Sequence, residues 1–100
     1  MPRLHIDLQE GFMNDTVSIR INGEQVFHKA GVKTRLQTGF SDSLELDAQE
    51  GPVNIEIALP QRSLSESTVL KMSTNVYLGV SIYPEGRINF KTSHEPFGYL

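Results

Sequence analysis

The run Asn75–Thr92, read as NVYLGVSI, YPEGR and INFKT, constrains the fold more than any other stretch. Its residue alternation and its turn chemistry agree on a single structure. Val76, Leu78, Val80 and Ile82 recur at period two, so they share one face of a strand, while Tyr77, Gly79, Ser81 and Tyr83 take the other. Pro84 presets φ for the first corner of a type I turn, Glu85 suits the second, and Gly86 can take the left-handed position that follows. A three-residue loop pairs Tyr83 with Arg87. Counting back sets Ile82 against Ile88, Val80 against Phe90 and Leu78 against Thr92, so the partners fall on the apolar face. The opposite face presents Tyr83–Arg87, Ser81–Asn89 and Gly79–Lys91.

The rest of the chain reads as further short strands. Leu4, Ile6 and Leu8 alternate with His5 and Asp7, and Phe12–Asp15 reads as a connection. Thr16–Ile21 buries Val17, Ile19 and Ile21 and ends in Asn22-Gly23, the strongest short hairpin signal available. A two-residue turn there pairs Ile21 with Glu24, Ile19 with Val26 and Val17 with His28. That register makes Glu24–His28 an edge or a rim and turns Phe27 away from the core. Lys29-Ala30-Gly31 breaks the pattern, and Val32–Thr38 follows as a second edge, with Val32, Thr34, Leu36 and Thr38 on one face. Ser43–Ala48 and Val53–Leu59 alternate cleanly around the turn Gln49–Pro52. Gln61–Ser67 is expected to be a polar connection and Thr68–Met72 a strand of undetermined facing. Short strands with turn signals about every 8–12 residues, and no helical period, predict an all-β fold: an antiparallel β-sandwich of about seven to nine short strands, Ig-like or prealbumin-like, with a small barrel as the alternative. Residues 1–93 are expected to form a single domain. Residues 94–100 are a tail that its aromatic residues should order, by packing on its own domain or on a neighbour.

One hundred residues can bury a core without staples, and the chain has no cysteine, which excludes disulfides, thiolate metal sites and a cysteine nucleophile. The net charge of −3 is small and the basic residues are scattered, so no nucleic-acid footprint is visible. No apolar run approaches a signal core or a membrane span, so a cytoplasmic setting is the expectation and no membrane partner is implied.

Within Asp42–Ile57, SLELDAQEGPVNIEI sets an acidic-apolar strand before a glycine turn and a Val/Ile strand, and Thr16–Phe27 carries a short INGE turn after an apolar alternation. These segments resemble the carboxypeptidase-regulatory-like and PEGA modules of the prealbumin-like sandwiches. YPEGR, however, lies outside the corresponding turn. The resemblance implies a non-catalytic accessory module.

Among constellations that could carry chemistry, His5 and Asp7 project from one strand face, but His28 and His94 arrive without ligand spacing, and no metal or cofactor is expected. No G-x-S-x-G occurs, and Glu45 and Asp47 read as a solvated strand face, so neither a hydrolase nor any other enzyme is selected. Asn14-Asp15-Thr16 is a formal glycosylation sequon and reads as a turn into a strand. The sharpest candidate is the face made by Tyr77, Gly79, Ser81, Tyr83, Arg87, Asn89 and Lys91. Its two tyrosines stand about 20 Å apart at strand rise, with Gly79 and Ser81 as a low floor between them. Flat aromatics with polar neighbours suit a protein partner or, as the alternative, a stacked glycan. The plain structural reading is a solvated face with Arg87 over Tyr83 and the tail folded across it. Phe97, Tyr99 and Leu100 are the expected tail contacts, on the same chain or on a second copy in a homodimer.

Overall fold

The computed structural model describes residues 1–35, 37 and 39–98. Eight strands run in order: β1 (Arg3–Leu8), β2 (Met13–Ile21), β3 (Glu24–Lys33), β4 (Asp42–Asp47), β5 (Gly51–Leu59), β6 (Leu64–Met72), β7 (Val76–Tyr83) and β8 (Arg87–Ser93). A short 3-10 turn, Pro60–Arg62, joins β5 to β6. The strands form two four-stranded sheets, β4-β1-β7-β8 and β3-β2-β5-β6, packed face to face around one core as in a β-sandwich. All neighbours are antiparallel except β1 and β7, which run parallel from Leu4↔Val76 to Leu8↔Val80. The core is the set that alternation selects. Leu4, Ile6, Leu8, Leu78 and Val80 come from one sheet, and Val17, Ile19, Ile55, Ile57 and Leu59 from the other; all are fully buried.

The β7–β8 hairpin has the register read from its turn, from Tyr83↔Arg87 through Leu78↔Thr92, and the Gly86 N–H closes the turn on the Tyr83 carbonyl at 2.8 Å. Asn22 and Gly23 take φ of 51° and 84°, the two positive values a type I′ turn needs, and Ile21 pairs with Glu24. The next pairs differ from expectation. A bulge between Ile19 and Arg20 sets Ile19 against Phe27 and Ser18 against His28. The extra residue reverses the faces of β3, so Phe27 packs on the core while Val26 is 39% exposed. Lys29-Ala30-Gly31 does not break the strand, because irregular pairing with β2 carries β3 through to Lys33. As expected, β3 is a sheet edge. Leu36 and Thr38, placed on its continuation by the sequence, lie outside the described residues.

Two further segments differ from expectation. Phe12 is buried and β2 already begins at Met13, so the expected connection Phe12–Asp15 is core and strand. The polar stretch Gln61–Ser67 is mostly the start of β6, which pairs with β5 from Leu59↔Leu64 to Gly51↔Met72. Its polar composition reflects an edge position, and Thr68, Leu70 and Met72 turn inward.

The passage from β1 to β2 carries the chain from one sheet to the other. Gly11 sits there with φ 91°, and a Cβ on it would lie 2.1 Å from the Ile82 carbonyl oxygen. Arg62 secures the same corner: its Nε and Nη2 donate to the two oxygens of Asp15 at 2.8 and 2.7 Å, and Nη2 also reaches the Gly11 carbonyl at 3.1 Å. Asp15 is 4% exposed and accepts the Met13 N–H at 2.8 Å. Burial acts to raise its carboxyl, but the Arg62 hydrogen bond, the Met13 N–H and the Arg62 charge together outweigh it and hold the group below its ordinary value. Arg62→Ala leaves that carboxylate buried without its cation and is expected to cost about 3 kcal/mol at neutral pH. A carboxyl depressed in the folded state contributes stability above its unfolded pKa of ~3.9, and loses it as pH falls through the folded value. Urea midpoints of the two chains should therefore converge between roughly pH 5 and pH 2. A constant gap would place the lost stability elsewhere.

Candidate binding face

The outer surface of β4-β1-β7-β8 holds every strand residue of the candidate face. The inner row of β7 is buried, as is Ile88 of β8, so the outer row is displayed from a rigid support. Tyr83 is 38% exposed, with the Arg87 guanidinium 5.6 Å from its ring centre, the cross-strand cation–π pair the register allows. Arg87 also reaches Glu85 at 3.3 Å, a contact between exposed groups that contributes little. Asn89 is half-buried and Lys91 exposed on the neighbouring strand.

Tyr77 behaves differently. It is half-buried, and its ring centre lies 5.2 Å from that of His5 at an angle of 37°. The expected low floor between the tyrosines is also filled. The Gln9 side chain lies over Gly79 so closely that a Cβ there would come within 2.6 Å of Gln9 Oε1, and the Glu10 N–H points to Ser81 Oγ at 3.4 Å. Nothing local in the sequence announces this cover. It follows because the chain leaves β1 alongside β7, with the Gln9 N–H donating to the Val80 carbonyl at 2.7 Å. The two tyrosines therefore do not form one flat platform.

The tail reaches the same face. Phe97 is half-buried with Lys91 Nζ 5.8 Å from its ring centre, and with Gly98 it borders a shallow depression of ≈ 280 Å³ beside Gln9, Ser81 and Lys91. Tyr99 and Leu100 lie outside the described residues.

Electrostatics divide the face in two. On the β4–β1 half, Arg3 bridges Glu45 at 2.6 Å and Asp47 at 3.2 Å, while His5 meets Asp7 at 2.7 Å and Glu45 at 3.1 Å. Both ring nitrogens of His5 thus face carboxylates. Among the described residues, no group of three or more His, Cys, Asp or Glu side chains is arranged to hold a metal ion. His28 and His94 stand on other parts of the surface, His94 within 3.4 Å of the Asn75 carbonyl. On the β7–β8 half, Tyr83, Arg87, Asn89 and Lys91 point outward, with Glu85 beside Arg87 and Glu10 lining the depression that Lys91 borders.

A second, larger cavity adjoins this depression through Glu10 and Gly39. It is a cleft of ≈ 600 Å³ where Glu10–Asn14 pass Lys33–Arg35 and Gly39, with Met13 exposed beside it. No helix among the described residues is long and apolar enough to cross a membrane. No family model, curated protein or solved structure matches the chain.

Two glycines with crowded surroundings separate the cover of the face from the scaffold beneath it. In Gly79→Ala the obstacle is the rotatable end of Gln9, so the cost should stay within about 1 kcal/mol. In Gly11→Ala the obstacle is backbone and φ is positive, so about 3 kcal/mol or more should be lost. Thermal melts of the two variants check the ordering, and equal losses would contradict it.

Proposed function

We propose that the chain is a non-catalytic sandwich module, of the prealbumin-like or immunoglobulin-like kind, that acts by protein contact through the strip Tyr83, Arg87, Asn89 and Lys91. The carrying observation is the electrostatic division of the outer face. A chain of net charge −3 gathers Asp7, Glu45 and Asp47 around Arg3 and His5 on its β4–β1 half, and sets Arg87 and Lys91 with an exposed tyrosine on the hairpin half. Tyr and Arg on a rigid support are the residue types that anchor protein contacts, and their charge suits an acidic segment of a cytoplasmic partner. The non-catalytic reading draws on the engagement of the reactive side chains, with His5 between Asp7 and Glu45 and Asp15 held by Arg62. Glycan stacking is the weaker reading, because Gln9 interrupts the surface between Tyr77 and Tyr83.

Peptides selected from a random displayed library against the full chain provide the test. Arg87→Glu and Lys91→Glu should each weaken the selected peptides about tenfold, or about 1.4 kcal/mol, with an unchanged melt. Selected peptides that bind both variants as well as the parent chain would remove the strip as the contact surface. Sugar binding that disappears in Tyr77→Ala and Tyr83→Ala together would favour the glycan reading instead.

A further inference from the structure

The two sheets end in four edge strands, and three of them carry features that obstruct pairing with another chain. β3 loses register against β2 at three points. β4 is only six residues long and sets Glu45 and Asp47 along its outer row. β8 carries Arg87 and Lys91 and has Phe97 of the tail folded against it. β6 carries the fewest of these devices. Its nine pairs with β5 run without a register shift, and LSESTVLKM contains no proline or glycine, one acid and one base. Its outer row is Ser65, Ser67, Val69 and Lys71, and Val69 stands 62% exposed at an otherwise polar edge. β8 approaches β6, and a shallow groove of ≈ 230 Å³ is lined by Val69–Lys71, Val76 and Thr92–His94 where they meet.

We propose that β6 pairs antiparallel with β6 of a second copy, about a two-fold axis at Val69, joining the two β3-β2-β5-β6 sheets into one continuous sheet. This names the partner within the protein-contact reading and rests on it, but it uses a different surface. A two-fold axis normal to the sheet keeps the same faces outward in both copies, so paired residue numbers must sum to an even value. Centring on Val69 sets Val69 against Val69 of the second copy, Ser67 against Lys71, Thr68 against Leu70 and Glu66 against Met72. No like charges meet, and the exposed valine finds the apolar neighbour that its own edge lacks. The paired stretch, Glu66 to Met72, spans roughly 24 Å. With the molecule's shortest extent of 21 Å as the depth of the edge, contact covers about 500 Å² per copy, the size of a weak, transient interface.

Light scattering of the full chain should show the mass double between about 1 and 100 µM, a range suited to a small interface. Val69→Lys should raise the dissociation constant at least tenfold without changing the melt, since the side chain is exposed in the single copy. Because the chain is cysteine-free, Val69→Cys is a clean second probe. Directly opposed residues stand about 4.5–5.5 Å apart between Cα atoms, within disulfide reach, so mild oxidation should link two copies. Ser65→Cys, whose opposite position lies beyond the strand, should not link. A parent chain still monomeric at about 1 mM, Val69→Lys associating as strongly as the parent, or Val69→Cys linking no faster than Ser65→Cys, would each overturn the pairing. Arg87→Glu and Lys91→Glu should dimerise normally, so failure here is separable from failure of the hairpin strip.

Discussion

The fold depends on one corner, where the chain leaves β1 in one sheet and enters β2 in the other. Gly11 brings backbone against backbone at Ile82, an approach that any side chain would block. Arg62, arriving from the link between β5 and β6, grips the Gly11 carbonyl and both oxygens of Asp15. One guanidinium therefore ties the crossing segment to the far hairpin of the second sheet. The arrangement is efficient because the polar groups of the crossing are buried and need partners, and a planar fork can satisfy two of them together. With that end closed, β1 lies between β4 and β7 and the apolar rows of both sheets meet.

The parts of this fold legible in the sequence are those determined by neighbours along the chain. Pro84-Glu85-Gly86 determines a register through local turn geometry, and every β7–β8 pair follows from it. Val53–Leu59 and Leu4–Leu8 declare their buried faces by alternation alone. The misread parts depend on distant partners. Phe27 changes face because β2 pulls a bulge into β3 that no residue of Glu24–His28 announces. Leu64–Ser67 is polar because it lies at an edge, which becomes visible only once β5 is paired with β6. The Asp15–Arg62 pair spans 47 positions and has no spacing motif to reveal it.

The candidate face shows the same division. Its strand residues were legible, since period two assigns them to the outer surface once the register is known. Their availability was not. Gln9 over Gly79 and His5 beside Tyr77 come from a segment remote in sequence, whereas Phe97 beside Lys91 belongs to the adjoining tail, whose aromatics announced it. The covers turn a nominal row of seven residues into a shorter strip at the hairpin end. In the proposed role, two cations and one exposed ring there would define a docking partner's charge and orientation more narrowly than a flat aromatic floor.

The strip and the β6 edge belong to different sheets, and the proposed symmetry relates them. An axis normal to the joined sheet leaves both β4-β1-β7-β8 sheets on the same side of it. Their outer faces, and the two hairpin strips, then point in a common direction. A partner carrying repeated acidic segments could engage both strips at once, so modest contact at each would add as avidity without enlarging either. A small interface along β6 and a short strip on β7–β8 would thus reinforce one another, which a single hundred-residue sandwich with either surface alone could not achieve.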